Sequence, residues 1–566
     1  SAMMAQEDDH HHQIHVALGT QPSEIRISWA STTAATAGSS TAFVRKQNTT
    51  EPYTRYPSEI VATYAKSHTE YPYVPDYASP FLHSVVVDGL DADGAIYEYY
   101  VQDDDEEEVI LHAFKTLPSK PTYPTRLILL GDHGQTEFSA TTVDEMLRWD
   151  VSNASTRAAA CLLVGDLSYA DGENPRWDRW EKMVEPIFAE MPLITLPGNH
   201  ETEATSDGDA FLAYRLRYLQ PGLPEIVKPG SVLDYSSYTY NLTYEFGASY
   251  FGVDVGPARV LALNTYVDAS EGSLQRAWVE REVFCLDRVR TPWLIVSMHG
   301  PWYSTNAKHR IDDETATKQH RDGLEKIVAG ARAAVVYAGH VHAYERSHPV
   351  CESEVRNSGE APVFVTIGDG GNREELYDVW PFAGDEPWSA FRNGTRYGFG
   401  DLTFVDDEHA VWRWLPNQLG GPADEITIVN PYFLSGSEPA CVAPDANDFD
   451  WDCDDPDVVA EVQRRVASYD DTEAPKSKKS SDSAASEGTV RVFTIVVVIF
   501  VATFIALAAL YSLRSAKHGA GPVVEDATRG DFAPVGGLEL PDNDVLGSDD
   551  LEGDSHGGTK TTFKSA

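Results

Sequence analysis

Five times along this chain a short apolar run stops at a small residue followed by a side chain that can bind a cation. RLILLGDHG brings Asp132, CLLVGDLSYAD brings Asp166 and Tyr169, LITLPGNHE brings Asn199 and His200, WLIVSMHG brings His299, and VVYAGHVHAYER brings His340 and His342. Apolar runs this short, without alternation, read as strands buried on both faces, and stretches between them such as PRWDRWEKMVEPIFAEM read as helices. That alternation predicts a layered α/β or α+β domain, with its chemistry in loops at the C-terminal ends of strands. One Gly-Asp turn or one histidine after a strand carries little information. Five such loops in strand order converge on a single site.

The residue types fit two cations. A pair ~3.5 to 4 Å apart binds a phosphoryl oxygen and a nucleophile together, and needs a bridging ligand, normally a carboxylate. Carboxylate and phenolate oxygens suit a hard Fe(III), whereas imidazoles with an amide oxygen suit divalent Zn, Mn or Fe. Charge narrows the partners. With 44 Lys+Arg against 88 Asp+Glu the net is −44, which opposes binding to nucleic acid or anionic lipid by simple electrostatics. Phosphate binding by such a chain must rest on local positive charge, which metal ions supply.

The ordered set GDHG, GDLSY, GNHE, VSMH and GHVH resembles the purple acid phosphatases within the calcineurin-like metallophosphoesterases, with Tyr169 as the residue that distinguishes them in that superfamily. The likeness runs over about residues 13–418, through GPWYST, HAYERSHPV and YGFGDLTF. At the N-terminus, IHVALG and EIRISW look like the fibronectin-III-like domain of the larger, plant-type members. The resemblance implies that Asp132, Tyr169 and His342 bind a ferric ion, that Asp166 bridges, and that Asn199, His299 and His340 complete a site for divalent Zn, Mn or Fe. It places His200 and His309 just outside the metals, one of them as the imidazolium that protonates the leaving alkoxide. Lys308 beside His309 departs from the plant-type pattern, and His133 is expected in the pocket wall rather than as a ligand. The implied activity is acid hydrolysis of phosphate monoesters by a metal-bound hydroxide, on small phosphate esters, a class that includes nucleotides and phosphoproteins. A phosphodiesterase or nucleotide pyrophosphatase using the same binuclear site is the alternative. A membrane-anchored adhesion module with a dead catalytic domain is the non-enzyme reading, against which the complete ligand set speaks.

Around this core the chain divides by composition. Residues 1–12 read as a disordered N-terminus and 13–118 as an all-β, fibronectin-III-like sandwich, from alternating segments such as FLHSVVVDGL and AIYEYYVQ. The acidic run 103–108 within it is a solvated hairpin tip or, less simply, a calcium site. Residues 119–440 form the catalytic domain, and 441–491 read as an acidic segment and flexible stalk. An uncharged apolar stretch of 22 residues, 492–513, is long enough for one transmembrane helix, and 514–566 read as a disordered tail. A buried core helix is the competing reading of 492–513, disfavoured because the stretch has no polar face. Acceptor sequons at Asn48, Asn153, Asn241 and Asn393 all precede the span. The expectation is a single-pass type I membrane protein with its catalytic domain outside, at the cell surface or in a secretory or vacuolar lumen. Among the five cysteines, Cys161 reads as a buried core residue, and Cys441 with Cys453 as a candidate bridge for which Cys351 competes.

Overall fold

The computed structural model describes residues 12–473, apart from 33–37, 39, 67–75, 104–108, 153–156, 204–209, 230–241, 382–385 and 434–450. The expectations for 1–11, the acidic run 104–108, Asn153, Asn241 and everything from 474 onward, the apolar stretch 492–513 included, lie outside them. Among the described residues no helix is long and apolar enough to cross a membrane.

Two sheets carry the site. The first orders its strands Leu193–Thr195, Ala160–Leu163, Thr125–Leu130, Gly398–Phe404, His409–Pro416 and Asp424–Val429, and the first three run parallel. In the second, the parallel strands are Ala258–Ala262, Trp293–Ser297, Val335–Ala338 and Val363–Ile367. Their side chains show why the sequence runs are unbroken. Along Thr125–Leu130, Leu127 and Leu129 join the core between the sheets, while Ile128 and Leu130 pack outward with Met146, Trp180 and Ile187 from the helices Glu137–Ser152 and Pro175–Phe188. A strand covered on both faces favours an unbroken apolar run, and Arg126 near its start is buried with Asp150 and Asp401 as partners. The second sheet repeats this: Ile295 faces inward, and Leu294 and Val296 pack with Trp278 and Leu324 from the helices Leu274–Phe284 and Thr315–Gly330. The result is a sandwich of two sheets with helices outside each.

The N-terminal residues form two four-stranded sheets. One is His12–Leu18, Ile25–Ser31, Phe81–Val87 and Ile60–Ala62, and the other is His112–Lys115, Ile96–Asp103, Ser40–Lys46 and Thr54–Pro57. All pairings are antiparallel. A buried ion network fastens this unit to the catalytic sheets. The Arg217 guanidinium donates to Gln13 Oε1 at 2.7 Å, Tyr77 at 3.0 Å, Tyr64 at 3.2 Å and Asp178 at 2.8 Å.

Two expectations need correcting. Cys453 pairs with Cys285, with Cα atoms 5.4 Å apart, and not with Cys441 or Cys351; Cys351 is itself disulfide-bonded, and Cys161 is free and buried. The reason lies in the second correction. Within the supposed acidic segment and stalk 441–491, Trp451 is buried and Val458–Glu473 is a helix whose Val462 enters the core beside Leu274–Phe284. Arg281 on that neighbour donates to Glu461 at 2.5 Å, and Cys285 caps its C-terminus, so docking of the late helix brings Cys453 to it.

Candidate metal centre

Loops from the C-terminal ends of parallel strands in both sheets meet at one place. Asp132 follows Thr125–Leu130, Asp166 and Tyr169 follow Ala160–Leu163, and Asn199 and His200 follow Leu193–Thr195. From the second sheet, His299 follows Trp293–Ser297, and His340 and His342 follow Val335–Ala338. Hydrogen bonds cross between the sheets here: His340 N donates to both oxygens of Asp132 at 2.8 and 3.0 Å, and His299 Nδ1 donates to Val164 O at 2.8 Å.

The backbone is forced to make this convergence. Asp132, Asp166, Tyr169 and His340 hold φ values of 52°, 54°, 51° and 68°, in the left-handed region that costs a non-glycine residue about 1 to 3 kcal/mol. The small residues beside them allow close approach. A Cβ on Gly339 would lie 2.2 Å from Asp132 Oδ2, and one on Gly198 would lie 2.0 Å from Asp166 Oδ1.

Two donor sets result. In the first, Tyr169 OH lies 3.0 Å from His342 Nε2 and 3.3 Å from Asp132 Oδ1, and the last two atoms are 3.5 Å apart. His342 Nδ1 donates to Glu375 O at 3.1 Å, so Nε2 is the nitrogen that could hold a metal. Burial, and then the Asp132 and Asp166 charges, hold the Tyr169 phenol far above its ordinary value, so its ionisation requires a strong positive charge. In the second set, His299 Nε2 is 3.1 Å from Asn199 Oδ1 and 3.1 Å from Asp166 Oδ2. With Nδ1–H committed to Val164 O, a neutral ring would point its lone pair at two oxygens. A proton or a cation must sit between them. Burial pulls His299 down, but the Asp166 and Asp132 carboxylates outweigh it and push the ring up to about 9. Asp166 Oδ2 is buried, with His299 Nε2 at 3.1 Å as the contact that a proton or a cation must fill. Asp166, His299 and His340 offer ligand atoms that lie within 4.8 Å of one another. The donors therefore fit a metal pair.

His200 and His309 flank these sets. The His200 ring lies over Tyr169 at 4.1 Å between centroids, its Nδ1 pairs with Asp171, and its Nε2 is 3.8 Å from Asp166 Oδ2. His309 lies against His340 at 3.9 Å, with Nδ1 2.9 Å from Glu314 Oε1. His133 departs from the expectation of a pocket wall. It is wholly buried, accepting from Trp180 Nε1 at 3.1 Å and donating through Nε2 to Ser139 O at 3.0 Å. Both ring nitrogens are thus used inside the core.

Sequence reasoning missed four residues around the site. Glu201 accepts from the backbone N–H groups of Asp166, Leu167 and Gly198 at 2.7 to 2.9 Å, tying two ligand loops together. Asp171 receives both His200 and Arg373, and Glu314 receives His309 and His340. Glu201 and Asp171 stand inside the motifs GNHE and GDLSYAD, where their signal was present but assigned to no role.

Comparison with known proteins agrees with this geometry. Residues 125–344 match the family model of the calcineurin-like phosphoesterases, and residues 361–425 match that of the iron/zinc purple acid phosphatase-like protein C. Purple acid phosphatase 21 of Arabidopsis thaliana is 33% identical over 383 residues, 67% of this chain and 78% of the relative. The chain belongs to the purple acid phosphatase family. A second Arabidopsis thaliana relative, Fe(3+)-Zn(2+) purple acid phosphatase 12, is 30% identical over 377 residues, covering 63% of this chain and 74% of its own. A solved purple acid phosphatase from yellow lupin (Lupinus luteus) seeds shares the fold, with a TM-score of 0.63 at 19% identity over 77% of each chain. The calcineurin-like span contains both donor sets and both flanking histidines, and the iron/zinc purple acid phosphatase-like span contains Arg373.

Proposed function

We propose that this chain is a phosphoric monoester hydrolase of acid optimum, with Fe(III) held by Asp132, Tyr169 and His342, a divalent Zn, Mn or Fe ion held by Asn199, His299 and His340, and Asp166 shared between them. The observation that carries it is the pairing of a phenol–carboxylate–imidazole set with an imidazole–amide set that has the buried Asp166 Oδ2 3.1 Å from its His299. A relative named for Fe(3+) and Zn(2+) supports the choice of ions. Bound there, the pair supplies Lewis acidity towards the phosphoryl group and acidifies water.

The chain's own residues do the rest. Val164 O and Glu375 O fix which nitrogens of His299 and His342 face the ions. Asp171 and Glu314 hold His200 and His309 at the two margins of the centre, where a protonated ring neutralises phosphoryl oxygens or donates to the departing alkoxide. Metal analysis of the purified chain, with parallel assays on a chromogenic monoester and diester, tests this reading. Two metals per chain, one of them iron, and faster monoester hydrolysis are expected. Faster diester hydrolysis would favour the phosphodiesterase or nucleotide pyrophosphatase alternative, and a metal-free chain would reject both.

Tyr169→Phe is a sharper check of the ferric assignment. The substitution removes the phenolate but leaves Asp132 and His342, so visible absorption should disappear while the metal content persists. A variant that keeps its colour with iron bound rules out Tyr169 as the chromophore.

Anchoring by 492–513 with the catalytic domain outside the cytoplasm is part of the same proposal. Supporting it are the Cys285–Cys453 bridge, which suits an oxidising compartment, and the exposed sequon residue Asn48. Phosphate esters are the expected partners, and the negative charge argues against nucleic acid.

A further inference from the structure

We propose that Glu314 is a positioning residue, whose single oxygen Oε1 fixes the proton-bearing nitrogen of both His309 and His340 and so couples the leaving-group acid to the divalent ion; this rests on the phosphatase reading above. Glu314 is the residue that precedes the helix Thr315–Gly330, with φ −115° and ψ 92°. A polar side chain there ordinarily accepts a hydrogen bond from the first turn of its helix. The Glu314 carboxylate makes no such bond. It is turned away from its own helix and buried, 8% exposed, against two imidazoles.

Its Oε1 lies 2.9 Å from His309 Nδ1 and 3.3 Å from His340 Nε2, and the two rings lie 3.9 Å apart at 41°. A carboxylate accepts only, so each contact places a proton on the imidazole nitrogen. For His340 the proton is thereby placed on Nε2, as a carbonyl places that of His299 on Nδ1. For His309 it leaves the opposite nitrogen, Nε2, for the substrate. The backbone of His309 is held to match: φ is 53°, and the loop before it is pinned by Asn306 Nδ2 to Tyr377 O at 2.7 Å and by Ala307 N to Val379 O at 2.9 Å. One carboxylate thus orients a ligand and an acid that belong to different loops.

The test uses the full metal-loaded chain and the variants Glu314→Ala, Glu314→Asp, His309→Ala and the Glu314→Ala/His309→Ala pair. Two substrates are compared, 4-nitrophenyl phosphate, whose leaving group needs little protonation, and an alkyl phosphate such as glycerol phosphate, which needs it. Glu314→Ala should lower kcat on the alkyl ester about tenfold more than on the nitrophenyl ester, within the range expected for an acid that is no longer positioned. Divalent-ion retention against a chelator should fall about 10- to 100-fold. Glu314→Asp should recover part of both, and the double variant should show the same ester ratio as His309→Ala alone, because Glu314 acts through His309. Equal loss on both esters, unchanged ion retention, or additive effects in the double variant would each overturn the proposal. A wild-type chain that binds no divalent ion would overturn the phosphatase reading itself, a result distinct from any of these.

Discussion

Asp166→Asn is expected to abolish the paired centre and to lower kcat/KM for a phosphate monoester by about 10³-fold or more, the equivalent of the several kcal/mol of transition-state charge stabilisation that bound metal provides. Asparagine is the informative replacement because it keeps the size of the side chain and tolerates the left-handed backbone at φ 54°. The fold should hold, since the backbone N–H of residue 166 still reaches Glu201. What changes is the charge. In the native chain Asp166 Oδ2 sits 3.1 Å from His299 Nε2 and 3.8 Å from His200 Nε2, and an amide in its place brings no negative charge with which to bridge two cations. The measurement is metal stoichiometry beside steady-state kinetics. A variant that retains two metals and at least a tenth of the activity would remove Asp166 from the bridging position.

How much of this was legible in the sequence follows from burial. Strands covered on both faces leave continuous apolar runs, and the loops after them carry the candidate ligand types, so the buried strands and the residues gathered at their ends could be read directly. His133 was misplaced because motif adjacency says nothing about direction. Asp132, at φ 52°, turns the chain so that the next side chain goes into the core towards Trp180. The disulfide was illegible because it depends on where the helix Val458–Glu473 docks. Its apolar spacing, Val458, Val462 and Val466, was present but outweighed by the acidic composition around it. Glu314 follows no strand and belongs to no motif, so only the contacts of its side chain reveal it.

The largest effect on stability is expected from Glu201→Ala. Glu201 is 1% exposed, with Oε2 accepting from Asp166 N at 2.7 Å and Gly198 N at 2.8 Å, and Oε1 accepting from Leu167 N at 2.9 Å. Alanine leaves three buried N–H donors without partners, and at about 1 to 3 kcal/mol each the loss should total about 3 kcal/mol or more. Glutamine should cost less. Its amide oxygen can serve Asp166 and Gly198 together, while its NH₂ group faces Leu167 N–H and loses one bond rather than three. The order native, Gln, Ala in denaturant midpoint follows from this geometry alone. Function should track it, because these three donors fix the GDLSY loop against the GNHE loop, and hence Asp166 and Tyr169 against Asn199. Both substitutions should therefore weaken metal retention although the Glu201 carboxylate accepts from the backbone of these loops and from none of the donor side chains. Equal midpoints for native and Ala would mean that water replaces the carboxylate without loss, and the loops would then need another explanation for their fixed spacing.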